Sequence, residues 1–193
     1  FALPIFGNSQ MFDSIRESLS HEPSFYGDYN TRNSFIANYH AQVRGVLGGV
    51  TFNDNFTIAL SYNWLTTEFN HITEEKDTAA LKMRYVAPFV SFSFLEKNNL
   101  QLSVPVYLGF GQTFYQTKDK AKTNSHFILT YEPSMKATYR IFHYIGISAG
   151  VGFRLLLIGN RYVEENFNSP TYTVGVKLFM GDIYRDVKNT LTN

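Results

Sequence analysis

Residues 146–150 read Gly-Ile-Ser-Ala-Gly, the G-x-S-x-G spacing that presents a serine nucleophile in some hydrolases. That chemistry needs the serine on a sharp strand-to-helix turn, with its hydroxyl beside an oxyanion hole. Here Gly146, Ser148, Gly150 and Gly152 alternate with Ile145, Ile147, Ala149, Val151 and Phe153. Ser148 therefore falls inside an unbroken strand pattern, and no nucleophile is expected there. The pairs Gly109/Gly111 and Gly150/Gly152 lack the further glycine and the following helix of a dinucleotide-binding turn. The five histidines (His21, His40, His71, His126, His143) show no H-E-x-x-H or other metal-ligand spacing. No metal and no cofactor is expected. Cysteine is absent, which removes thiol nucleophiles, Cys-ligated metals and disulfides. One catalytic constellation stays open as an alternative. His71 lies near Glu74 and Glu75 in one long polar stretch, and Ser125-His126 follows another. Brought together, these groups would suit acyl transfer to, or deacylation of, a membrane lipid.

The elements that carry these residues are strands. In 100–110, Leu100, Leu102, Val104, Val106, Leu108 and Phe110 alternate with Gln101, Ser103, Pro105, Tyr107 and Gly109. Side chains on a strand point alternately to opposite faces, so one face is wholly apolar. The length suits a tilted strand crossing hydrocarbon, which takes about 9–11 residues. No apolar run approaches the roughly 18 residues of a membrane helix. Aromatic content is 17%, with 18 Phe and 13 Tyr, as expected where girdles of rings mark two lipid–water interfaces. Mean hydropathy is only −0.18, because a polar interior offsets an apolar exterior. A net charge of +1 with scattered Lys and Arg gives no case for nucleic acid. Export of such a chain implies a signal peptide already removed.

Seven strands are predicted over 38–52, 56–67, 80–94, 100–115, 125–140, 144–156 and 172–180. The connections 53–55, 95–99 and 141–143 are short, the first two with turn chemistry; 69–79, 116–124 and 157–169 are long. Short turns at one end and long loops at the other is the asymmetry of outer-membrane barrels, with the loops extracellular. Seven strands leave the first and last at the wrong ends for closure. Residues 24–32, followed by a loop over 33–37, supply the eighth. The expected fold is all-β: an eight-stranded antiparallel transmembrane β-barrel over 24–180. A short N-terminal amphipathic segment over 1–23 precedes it and a short periplasmic tail over 181–193 follows.

The polar register of these strands offers His40, Gln42, Arg44, Lys82, Arg84, Glu132, Lys136, Arg154 and Lys177 as an interior network. Eight-stranded barrels are just wide enough for side chains to fill them, so a solid core is expected over a pore. A narrow anion path past Arg44, Arg84 and Lys136 is the alternative. Beyond the barrel, Met11, Phe12, Ile15 and Leu19 share one helical face, as do Ile183, Val187 and Leu191. Both faces are candidates for docking a partner.

The last strand carries the most specific resemblance. Thr173-Val174-Gly175-Val176-Lys177-Leu178-Phe179-Met180 is similar to the assembly signal of small outer-membrane barrels: a polar residue, Gly two later, then Leu178 and Met180. With strand length, loop asymmetry and aromatic placement, the chain resembles the OmpA-transmembrane-domain and OmpX type over about residues 24–180. The resemblance implies insertion by the barrel-assembly machinery into the outer membrane, with periplasmic termini. The stretch 181–193 is too short for a peptidoglycan-binding domain, so that anchoring role is not carried over. The expectation is a non-enzymatic structural or accessory subunit of a larger outer-membrane complex. Its partners would be outer-membrane lipids and a protein of the outer membrane or periplasm. The lipid-modifying enzyme, the anion pore and a soluble lipocalin-like barrel with its apolar face inward are the alternatives.

Overall fold

A computed structural model describes residues 16, 19, 23–36, 39–67, 69–72, 78–116, 122–159 and 168–192. The strands are β1 (Pro23–Ile36), β2 (Tyr39–Phe52), β3 (Phe56–Leu65), β4 (Phe69–Ile72), β5 (Thr78–Lys97), β6 (Leu100–Gln116), β7 (Lys122–Phe142), β8 (Ile145–Ile158) and β9 (Ser169–Leu178). A helix, α1 (Met180–Thr192), follows. Every pairing is antiparallel, β1 joins β9, and β3 joins β5, which closes the ring. Short β4 continues the line of β3 alongside β5, so the nine stretches form eight staves. The eighth stave is β1, and it is longer than expected: residues 33–36, read from the sequence as loop, continue its ladder with β2.

The registers define the shape. From Arg44, one route round the ring runs through Trp64, Arg84 and Gln112 to Phe127. The other runs through Thr31, Val174 and Ala149 to Ala137. The two arrivals on β7 lie ten residues apart, a shear of ten. For eight strands rising about 3.3 Å per residue and spaced about 4.8 Å, that shear sets a tilt of about 40°. Each residue then gains about 2.5 Å of height, and Leu100 to Phe110 crosses about 25 Å, the height of a lipid-facing band.

Burial alternates along each strand, and the distribution is inside-out relative to a soluble barrel. Val46, Leu60, Phe94, Phe110, Met135, Val151 and Val174 are exposed, whereas Arg32, Arg154 and Glu132 are buried. Exposed apolar walls around buried charges are stable only where lipid replaces water outside. This excludes the lipocalin-like alternative, which needs the opposite facing.

One end of the ring is tightly turned. Asn53 and Asp54 adopt φ of 47° and 55°, and Asn98 adopts 55°. Asn and Asp tolerate this left-handed region because their short polar side chains bond locally. Residues 1–15 lie outside the described residues, and with them Met11, Phe12 and Ile15 of the expected N-terminal face. Arg16 and Leu19 are helical, and both are exposed.

Candidate functional site

The lumen is built in layers of inward side chains. Nearest the turn end, the Lys177 ammonium donates to Gln101 Oε1 at 2.7 Å, and Gln101 Nε2 donates to the Asp54 carbonyl at 2.9 Å. Above it, Lys136 Nζ lies 2.8 Å from Asp28 Oδ2, and the Tyr26 hydroxyl donates to the same oxygen at 3.0 Å. An aromatic layer follows, with Tyr26 stacked on Phe89 and Phe89 tilted against Tyr107 at 4.7 Å. The next layer centres on Glu132. Its two oxygens accept from Arg32 Nη1 and Arg154 Nε, each at 2.8 Å, and Tyr85 donates at 2.8 Å. Arg32 also donates to Asn63 Oδ1 and lies 4.6 Å above the Tyr107 ring. Arg154 donates to Ser34 at 3.2 Å. At the loop end, Val43, Leu65, Leu81, Met83 and Ile128 form an apolar plug.

Buried charges are tolerated only when paired and hydrogen-bonded, and Glu132 meets that condition with three donors. Gly45 and Gly109 make the room. A Cβ on Gly45 would lie 2.5 Å from Asn63 Oδ1 and 3.2 Å from Arg32 Nη2, and one on Gly109 would overlap Thr130 Oγ1 and the Tyr85 ring. The space bordered by Tyr26, Gln101, Lys136 and Lys177 measures ≈ 10 Å³, about one water.

The structure divides the expected interior set. Glu132, Lys136, Arg154 and Lys177 are buried and inward. Gln42, Arg44, Lys82 and Arg84 face outward, a correction to the expected network: their neighbours Ala41, Val43, Leu81, Met83 and Tyr85 take the inward register. The side chain of His40 lies outside the described residues. The physical reason is that polarity, not register, inverts along these strands. Above the hydrocarbon the outer wall meets water, while the lumen there is closed by the apolar plug. Sequence reading missed Asp28, Arg32, Asn63 and Tyr85. For Arg32 and Asp28 the signal was present, an alternation of Tyr26, Asp28, Asn30, Arg32 and Ser34 on one register.

Ser148 sits mid-strand in β8, buried opposite Thr138 and Gly175, with no turn to present it. Ser125 donates to Gln112 Oε1 at 3.0 Å, and Glu74 and Glu75 lie outside the described residues. No group of metal-ligating side chains forms among the described residues.

At the turn end, α1 is tied to the barrel. Arg140 Nη1 lies 2.8 Å from Asp182 Oδ2, and Arg140 Cζ lies 3.7 Å from the centre of the Phe179 ring. The Tyr144 hydroxyl donates to Asp186 at 2.8 Å, and His143 Nε2 lies 3.2 Å from the same oxygen. The Asp186 carboxylate raises the Tyr144 phenol pKa above its ordinary value. Phe25 meets Tyr184 edge-on at 6.4 Å. Ile183 is half-buried, Val187 and Tyr184 are exposed, and the Leu191 side chain lies outside the described residues.

A closed ring of eight antiparallel strands, charged within and apolar without, is the architecture of the small outer-membrane β-barrels, and this chain has that fold. Among solved structures it is similar to Neisserial surface protein A, over 82% of this chain and 99% of that one, with a TM-score of 0.65 at 10% identity. It is also similar to the outer membrane protein OprG from Pseudomonas aeruginosa, over 82% and 96%, with a TM-score of 0.51 at 11% identity. No protein-family model and no curated protein sequence matches the chain.

Proposed function

We propose that the protein is a non-enzymatic, non-conducting barrel that serves as a structural or accessory subunit of a larger outer-membrane assembly. Its long loops face outward from the cell and its termini lie in the periplasm. The observation that carries this reading is the filled lumen: the Arg32–Glu132–Arg154 layer, the aromatic layer and the apolar plug are side chains stacked across its described length. A barrel with a filled lumen and no catalytic constellation among the described residues offers its surfaces instead. Support for a turn-end contact comes from α1, which is held by Asp182 and Asp186 while Val187 and Tyr184 stay exposed.

Gentle detergent extraction through a C-terminal tag, with mass analysis of what co-purifies, tests it. A stoichiometric complex that is lost on deletion of residues 183–193 is the expected result. A lone particle of 22.1 kDa plus detergent would count against the subunit role.

A further inference from the structure

The outer wall near the loop end carries a row that the lumen does not explain. Arg44 on β2, Trp64 on β3 and Arg84 on β5 are successive register partners, all facing outward. Strands lie about 4.8 Å apart, so the two arginine Cα atoms are about 10 Å apart with the indole between them. Below each, toward the membrane centre, the outward residue is apolar: Val46, Tyr62 and Val86. On β6 the lipid-facing run ends at Phe110, and Gln112, the partner of Arg84, is the first polar outward residue. Register partners run perpendicular to the strands, so at a tilt of about 40° the row climbs about 3 Å per strand toward the loop end; Arg84 stands about 6 Å above Arg44, and each heads the apolar run of its own strand. Arg84 and Gln112 border a groove of ≈ 650 Å³ whose other outward walls are Tyr62, Val86, Phe110 and Phe127.

Isolated cations at a lipid edge need no ligand, since they extend to the headgroup region by themselves. These two are not isolated: they stand about 10 Å apart with an indole between them. Among the described residues neither Arg44 nor Arg84 has a carboxylate partner, and the buried Nε of Arg44 has no hydrogen bond. Guanidinium forks match phosphate oxygens two bonds at a time, and basic pockets at a membrane edge recognise anionic headgroups. The groove beneath asks for an apolar tail attached to the same molecule.

We propose that Arg44, Trp64 and Arg84 bind the phosphate-bearing headgroup of an anionic lipid in the leaflet at the loop end, with one acyl chain lying in the Tyr62–Phe110 groove. The site depends on the barrel spanning a membrane and is independent of the subunit role.

The test is native mass spectrometry of the full chain in neutral detergent, titrated with phosphatidic acid and, as the phosphate-free control, diacylglycerol. Phosphatidic acid should be retained and diacylglycerol should not. Each arginine lost should weaken retention roughly fivefold, so R44Q/R84Q should lose ~25-fold. R44K/R84K should recover part of the loss, because it keeps charge without the planar fork. Phe110→Ala should weaken retention of the lipid with both arginines intact. Arg44, Arg84 and Phe110 all lie on the outer wall, and the heat-dependent gel shift of the folded barrel confirms folding in each variant. Equal retention by R44Q/R84Q would overturn the proposal. So would full displacement of the lipid by inorganic phosphate, which would leave only an anion site. Loss of a co-purifying protein from R44Q/R84Q, with bound lipid unchanged, would make the row a protein contact and likewise overturn it.

Discussion

Glu132 holds more of the lumen together than any other described side chain. It accepts from Arg32, Arg154 and Tyr85 at once, and neither arginine is more than 1% exposed. Glu132→Gln removes the charge but keeps the shape, leaving two buried guanidiniums without a counter-ion. Stranding a buried charge costs about 3–5 kcal/mol. The urea midpoint of the folded band on a heat-modifiable gel should fall accordingly. Gly45 is the steric counterpart. Any Cβ there meets Asn63 and Arg32, so Gly45→Leu should displace the Asn63–Arg32 contact and destabilise by about 1–3 kcal/mol through overpacking. Gly48, with nothing within 4 Å of its missing Cβ, is the control: Gly48→Ala should leave the midpoint unchanged within about 0.5 kcal/mol.

At the scale of elements, α1 is the one described helix outside the barrel wall, and its tethers are polar. Arg140–Asp182 and Tyr144–Asp186 are partly or largely solvent-exposed. Such pairs each contribute little, about 0.2–1 kcal/mol for a partly exposed ion pair. D182N/D186N should therefore leave barrel stability nearly unchanged and yet speed proteolysis of 181–193, which limited digestion reads directly. The pH dependence has a definite sign. The folded-state Tyr144 pKa is raised by its bond to Asp186, so that tether is present below the ordinary phenol range. It is lost only as pH rises through the raised value. In β1, by contrast, the element is one with the barrel. Its polar register (Asp28, Asn30, Arg32, Ser34) faces the lumen and supplies partners to Lys136, Glu132 and Arg154, so deleting it should abolish folding and not merely open a seam.

The whole molecule is a tilted cylinder whose contents are side chains. A shear of ten on eight strands leaves an interior that inward residues fill, and the described layers alternate charge, ring, charge and apolar plug. Planar-bilayer recordings of the purified, folded chain should show no discrete conductance steps. Regular steps would sink the filled-lumen reading and revive the narrow pore. The same geometry places ten to eleven residues of each strand across the hydrocarbon, and the outward polar residues Arg44, Arg84 and Gln112 climb toward the loop end by about 3 Å per strand around the ring.

The amino-acid sequence alone determined the fold class. Period-two alternation in Leu100–Phe110, turn chemistry at 53–55 and parity of the strand count lead to eight staves, because unpaired backbone edges are intolerable in lipid. It also placed Ser148 within a strand and not on a nucleophile turn, since the alternation around it is unbroken. Glu132, Lys136, Arg154 and Lys177 were legible as lumen residues because the lipid-facing register at their level is plainly apolar. Only the tertiary structure decided the facing of Gln42, Arg44, Lys82 and Arg84. Polarity tells inside from outside only within the hydrocarbon; beyond its edge both faces of a strand accept polar groups, and the register inherited from the buried part of the strand decides. It alone decided, too, which charge meets which. Arg32 and Glu132 lie a hundred residues apart in the chain, and their meeting across the lumen follows from strand order and shear, which no local pattern encodes.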